Sequence, residues 1–92
     1  MYMQFEWDEK KRLSNLIKHE LDFRDAWVVF TDPNAHTGNS KRSFGERRAE
    51  TIGLLKQDVV VLIIHTDRRG ITRIISMRPA SRKERSRYYG NC

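Results

Sequence analysis

Cysteine is nearly absent: the only one in these 92 residues is Cys92. A single cysteine cannot close an internal disulfide, which excludes a cross-linked secreted scaffold, and the chain reads as cytoplasmic. Long hydrophobic runs are missing as well. No stretch approaches the ~18–20 apolar residues that a membrane span requires. The opening Met1-Tyr2-Met3-Gln4-Phe5-Glu6-Trp7-Asp8 has no basic segment followed by an apolar one, so no secretory signal is expected. His19, His36, His65 and Cys92 are scattered without ligand spacing, which leaves no expected metal site and no cofactor. No phosphate-binding glycine loop and no nucleophilic triad appear.

What the chain does contain is one modest core and a strong charge asymmetry. Hydrophobic residues make up 38% and charged residues 33% of the sequence, enough apolar surface for a single domain over residues 1–92. The net charge is +6, and its position matters more than its size. From Arg68 to Arg87 there are eight basic residues against one acid, Glu84, so this stretch carries +7 and the remainder −1. Seven of those eight are arginines, whose planar forks suit phosphate, and Tyr88 and Tyr89 follow directly. The pattern points to nucleic-acid contact, with a solvated face as the plainer alternative.

Residues 4–7 alternate as a short strand. Asp8 is a good N-cap, and Leu13, Leu16, Ile17 and Leu21 follow at helical spacing, which predicts a helix over residues 9–19. Asp22 caps a second predicted helix with Phe23, Ala26, Trp27 and Phe30 on one face, closed by Asp32-Pro33. Trp7, Trp27 and Phe30 are assigned to the core. Residues 34–43 read as a polar loop. Strands are predicted over 46–55, 59–65 and 71–77; the middle one is apolar on both faces, as a covered central strand is. Ser81 and Glu84 form a capping box opening a basic C-terminal helix. The fold class is α+β: two N-terminal helices, a mainly antiparallel sheet of about four strands, and a C-terminal helix.

A four-residue turn at Asp67-Arg68-Arg69-Gly70 pairs Thr66 with Ile71, His65 with Thr72 and Val59 with Arg78. His65 and Arg78 then share a face, roughly 20 Å apart by strand rise. A turn at Lys56-Gln57-Asp58 sets Ala49 opposite His65. The cations fall into two groups: Arg47, Arg48, His65, Arg68, Arg69 and Arg73 at one end, Arg78 with the closing helix at the other.

Phe5-Glu6-Trp7-Asp8 with Lys11, Asn15, Lys18 and His19 resembles the opening of the BrnT toxins. The likeness continues in order through Phe23, Ala26, Val29, Phe30, Asp32 and Pro33; Gly45-Glu46 with Arg48; Ile52-Gly53; His65-Thr66; Ile74-Ile75-Ser76-Met77-Arg78 with Ala80; Glu84-Arg85; and Tyr88. One departure is Glu20, where the family has glycine after the Lys-His pair; a left-handed helix end there costs about 1 kcal/mol. The resemblance implies a RelE-like fold and a ribonuclease that inhibits translation as the toxin of a type II toxin–antitoxin system. It also implies a BrnA-like ribbon-helix-helix antitoxin, two toxins on an antitoxin dimer, with operator DNA touched only through the antitoxin and no membrane association.

RNA is cleaved without a metal when the ribose 2′-hydroxyl attacks its own phosphate, provided that charge on the phosphate oxygens is stabilised. Arg78 at a strand end, with Arg82 and Lys83 opening a helix, form the expected phosphate-stabilising centre. Arg85 lies one turn on from Arg82. Arg48, Arg68, Arg73, Arg85 and Tyr88 are the expected RNA-binding residues. His65 has two readings, proton transfer or a structural strand-end residue, and the map above separates it from Arg78. Glu84 reads as a cap partner, and Tyr88 either stacks a base or packs on the sheet. A non-catalytic basic nucleic-acid-binding module, or a basic face that docks an acidic partner, are the alternatives to a metal-independent endoribonuclease.

Overall fold

Asp8 starts the first helix by accepting from the backbone N–H groups of Lys10 and Lys11 at 2.9 and 3.4 Å. The computed structural model describes residues 3–40 and 46–90. Residues 41–43 of the expected loop, Gly45 of the family resemblance and Cys92 lie outside them. In chain order the elements are β1 (Phe5–Trp7), α1 (Glu9–His19), a 3-10 turn (Phe23–Asp25) running into α2 (Ala26–Phe30), β2 (His36–Asn39), β3 (Ala49–Lys56), β4 (Val59–Arg68), β5 (Ile71–Pro79) and α3 (Arg82–Gly90). The result is an α+β fold in which three helices pack on a five-stranded sheet of order β1-β5-β4-β3-β2. β1 runs parallel to β5, and every other pair is antiparallel.

Alternation along the strands gives the sheet two faces. One carries Phe5, Trp7, Leu55, Val61, Ile63, Ile74 and Met77 against Leu21, Phe23, Ala26 and Val29 from the helical segments. Gly53 lies on this face because a Cβ there would meet Val29 Cγ1 at 2.8 Å. Asn15 reaches from α1 to β5 past the end of β1, its amide donating to Met77 O at 2.7 Å and its Oδ1 accepting from Met77 N at 3.3 Å. The side chain thus substitutes for a missing strand at that edge. The other face is only partly covered. Tyr88 of α3 packs on Ile52, Val60 and Leu62 there. At 3% exposure it is the one buried side chain of α3, and a burial of that kind contributes on the order of 2 kcal/mol.

Several expectations need correction. The sheet has five strands rather than about four. The additional one, β2, falls in the segment expected to be a loop; all four of its residues are exposed, so no apolar alternation marks it. The second helix begins as a 3-10 turn, with Asp22 accepting from Arg24 N at 2.9 Å. Trp27 is 56% exposed, not core, and the apolar stripe of α1 is incomplete because Ile17 is 85% exposed. Ala49 does oppose His65. The β4–β5 turn is shorter than expected: Arg69 (φ 55°) and Gly70 (φ 82°) make a two-residue turn between Arg68 and Ile71, the backbone hand that such hairpins favour. His65 therefore faces Ile74 and Arg78 faces Leu62. The pairing skips Ile75, a bulge that sets Ile75 and Ser76 toward the partly covered face. Glu20 takes the left-handed conformation (φ 58°) expected at the end of α1.

Candidate active site

Between α3 and the uncovered part of the sheet lies a cleft of about 540 Å³. Leu62, Ile64 and Ile75 form its floor, and Arg48, Glu50, Ser76, Arg78, Glu84 and Arg87 supply its polar walls. Alternation explains the contribution of β3 and of Arg48 just before it: Arg48, Glu50 and Ile52 point one way while Ala49, Thr51 and Gly53 point the other. The bulge supplies Ser76. On α3, Glu84, Arg87 and Tyr88 stand at i, i+3 and i+4, so one helical face brings all three to the sheet.

Arg78 is fixed by Glu84. Its Nη1 and Nη2 donate to Glu84 Oε1 and Oε2 at 2.8 and 2.9 Å, a bidentate pair. The same carboxylate accepts from Ser81 N at 2.8 Å, while Ser81 Oγ accepts from Glu84 N at 3.1 Å, completing the capping box. The pair holds the Glu84 carboxyl below the ordinary glutamate range and raises the Arg78 guanidinium; nearby Glu50 acts on Arg78 in the same direction. A carboxylate of the chain itself therefore occupies the N-terminus of α3.

The expected convergence of Arg78, Arg82 and Lys83 does not occur. Arg82 and Arg85 line a separate shallow depression with Ser86 and Tyr89 on another side of α3, and Lys83 is exposed. Arg48, grouped by sequence with the far end of the sheet, instead shares the cleft with Arg78. Arg68 pairs with Glu46 at 3.2 Å and Arg73 with Glu6 at 3.1 Å. His65 and Arg78, expected on one face, project from opposite faces. His65 is buried beneath α2, its Nε2 2.8 Å from Thr51 Oγ1 and its ring edge-on to Phe30. Burial lowers its pKa and favours the neutral ring. Tyr88 is likewise committed: its hydroxyl donates to Asp32 Oδ2 at 2.6 Å. That oxygen also accepts from Leu54 N, and Oδ1 accepts from Asn34 N, both donations tying α3, β3 and the α2–β2 connection together. Burial opposes ionisation of Asp32, but the hydrogen bonds prevail and its pKa is lowered.

Sequence reasoning missed Glu50, Arg87, Ser76 and Ser40 as cleft residues. The signal for Arg87 was present in its spacing from Glu84. The signal for Glu50 was its alternation with Arg48. Ser76 depended on a bulge that no residue announces. Among the described residues, no group of three or more His, Cys, Asp or Glu side chains is placed to hold a metal ion. No helix among them is long and apolar enough to cross a membrane.

Fold and cleft together define a small basic α+β protein with a cleft on one sheet face walled by three arginines and two glutamates. The model described as "ribonuclease toxin, BrnT, of type II toxin-antitoxin system" matches residues 7–84, and the chain belongs to the BrnT family. The crystal structure of the Brucella abortus ribonuclease toxin BrnT is similar, with a TM-score of 0.69 and 30% identity over 87% of this chain and 99% of that chain. No curated protein matches the chain.

Proposed function

We propose that this protein is the toxin of a type II toxin–antitoxin system and cleaves RNA in the cleft between α3 and the sheet without a metal ion. The observation that carries the reading is that Arg48, Arg78 and Arg87 wall the same cleft as the carboxylate of Glu50. A phosphodiester bound among three guanidiniums has its developing charge stabilised by groups already in place. Glu50 takes the proton from the ribose 2′-hydroxyl as that oxygen bonds to phosphorus. The bond from phosphorus to the 5′ oxygen breaks, and the leaving oxygen takes a proton from solvent at the open mouth of the cleft. The products are a 2′,3′-cyclic phosphate and a 5′-hydroxyl end. Glu84 orients Arg78. Arg82, Lys83 and Arg85 lie outside the cleft and steer RNA toward it, while His65 supports the sheet from its other face. The fold is read as a variant of the RelE type.

Cutting translatable RNA inhibits translation, and the protein acts in the cytoplasm. Its silencing partner is a BrnA-like ribbon-helix-helix antitoxin whose acidic residues meet the basic face, with two toxins per antitoxin dimer and operator DNA contacted only by the antitoxin. The test is incubation of the purified chain with RNA in EDTA, with end-group analysis of the fragments. Cyclic phosphate ends are expected, and growth arrest on expression without partner. Retarded but intact RNA at high protein concentration overturns the reading and leaves a non-catalytic binding module.

A further inference from the structure

We propose that a small recess beside the cleft holds the nucleobase adjoining the phosphate that is cut, and that its shape sets which sites in RNA are cleaved. This rests on the RNA-cleavage reading and specifies how substrate is chosen. The recess measures about 170 Å³, a size that admits one flat heterocycle, and it shares Glu50 and Arg87 with the larger cleft. Its remaining walls include His36, Gly38, Ile52 and Tyr88. The sheet register builds it: Gly38 is paired with Glu50 and His36 with Ile52, so β2 extends the face that carries the cleft by one more strand.

The walls that the recess does not share with the cleft suit a base rather than a phosphate. Ile52 is buried and apolar. The Tyr88 ring is held by its hydroxyl bond to Asp32 and meets the exposed His36 ring edge-on at 6.4 Å. His36 thus offers a π-face for stacking and ring nitrogens for the edge of a base, and aromatic stacking accepts any base while edge contacts discriminate. Gly38 gives the floor its depth, because nothing lies within 4 Å of where its Cβ would stand. With a phosphate among Arg48, Arg78 and Arg87, the base of the same nucleotide or its neighbour has the recess directly beside it, across Arg87.

Gly38→Leu fills the recess and abuts the shared walls Glu50 and Arg87 but leaves Arg48 and Arg78 in place, and the abasic series separates loss of the base from disturbance of the shared residues. Its effect is read by fluorescence anisotropy with a 2′-O-methyl RNA oligonucleotide, which is not cleaved, and with a series in which one position at a time is abasic. In the unaltered protein one abasic position is expected to weaken binding about 10-fold or more, on the scale of losing one stacked base. Gly38→Leu should weaken binding of the intact oligonucleotide similarly and be indifferent to the abasic position, with melting unchanged. His36→Ala, at an exposed residue, should give a smaller loss in the same direction and a changed pattern of cut sites in cleavable RNA. Full affinity of folded Gly38→Leu for the intact oligonucleotide, or undiminished sensitivity to the abasic position in that variant, overturns the proposal. Should Gly38→Leu fail to fold, an unchanged cut pattern in His36→Ala overturns it. Position-dependent binding by a protein that leaves cleavable RNA intact refutes the cleavage reading and keeps the recess.

Discussion

Replacing Arg78 by alanine tests two roles of one side chain. Its bidentate contacts to Glu84, at 2.8 and 2.9 Å, join a 40%-exposed guanidinium to a 15%-exposed carboxylate. Solvent screening on the arginine side limits the pair to about 1 kcal/mol, the upper end for exposed ion pairs. The Arg78→Ala variant also leaves Glu84 without its charge partner in a partly buried place, so its loss should reach about 1–2 kcal/mol. Glu84→Gln keeps the capping geometry, since glutamine serves at that position, and should lose about 1 kcal/mol. The double variant should be no less stable than Arg78→Ala, because the second change removes an interaction already gone. For a domain of this size each kcal/mol moves Tm by about 4–8 °C. Because the Glu84 pKa is held below its ordinary 4.5, the pair's contribution is complete above that pH and is lost as pH falls through the lowered value. The melting curves of the unaltered protein and Arg78→Ala should therefore converge in acid. RNA cleavage separates the second role: Arg78→Ala and the double variant should both fall by about 10²-fold or more, whereas Glu84→Gln, with Arg78 still charged, should bind uncleavable RNA more tightly. Additive losses of stability in the cycle would refute the pairing, and wild-type cleavage by folded Arg78→Ala would refute the placement of the phosphate.

Two further outcomes can be measured. His65 has a pKa lowered from 6.5 by burial, so the unfolded chain binds the proton first, and stability should fall as pH drops from 6.5 toward the lowered value. His65→Gln should remove that slope in pH-dependent melts and leave RNA cleavage; loss of cleavage in a folded variant would move the active site to the opposite face. Glu20→Gly should raise stability by up to about 1 kcal/mol, because Glu20 holds a left-handed conformation in which glycine meets no Cβ penalty; thermal melting that shows no gain would mean that strain at this helix end is negligible.

The parts of the fold that were legible in the residues are those where local chemistry and periodicity agree. Asp8 and the Ser81–Glu84 box mark helix starts that the structure reproduces. The apolar run of β4 identifies a central strand, and the turn expected at Lys56-Gln57-Asp58 places Ala49 against His65 as observed. The turn itself holds only Gln57 and Asp58, and a register shift between Leu54 and Lys56 makes up the difference. The β4–β5 hairpin was misread because Asp67 and Arg68 look like turn residues, yet the two left-handed residues Arg69 and Gly70 suffice. That error, together with the Ile75 bulge, moved Arg78 three positions along β4 and onto the other face from His65. The cleft was half legible. Arg48 and Arg78 were named, but in separate groups, since only the correct register and the docking of α3 through Tyr88 bring them together. β2 and the recess behind it gave no periodic signal, because a strand exposed at all four positions has no apolar face to announce it.

The parallel pairing of β1 with β5 has a consequence for the order of assembly. Glu6 and Arg73 are bonded across 67 positions of sequence, and Phe5 and Trp7 take their places in the core only alongside β5. Contacts so distant in the chain are slow to form, because the intervening loop must close first. During synthesis β1 must therefore wait for β5 to emerge before it can pair. The cleft waits longer still, for α3 and Arg87. A growing chain cannot assemble the arginine-walled groove before α3 has left the ribosome that makes it.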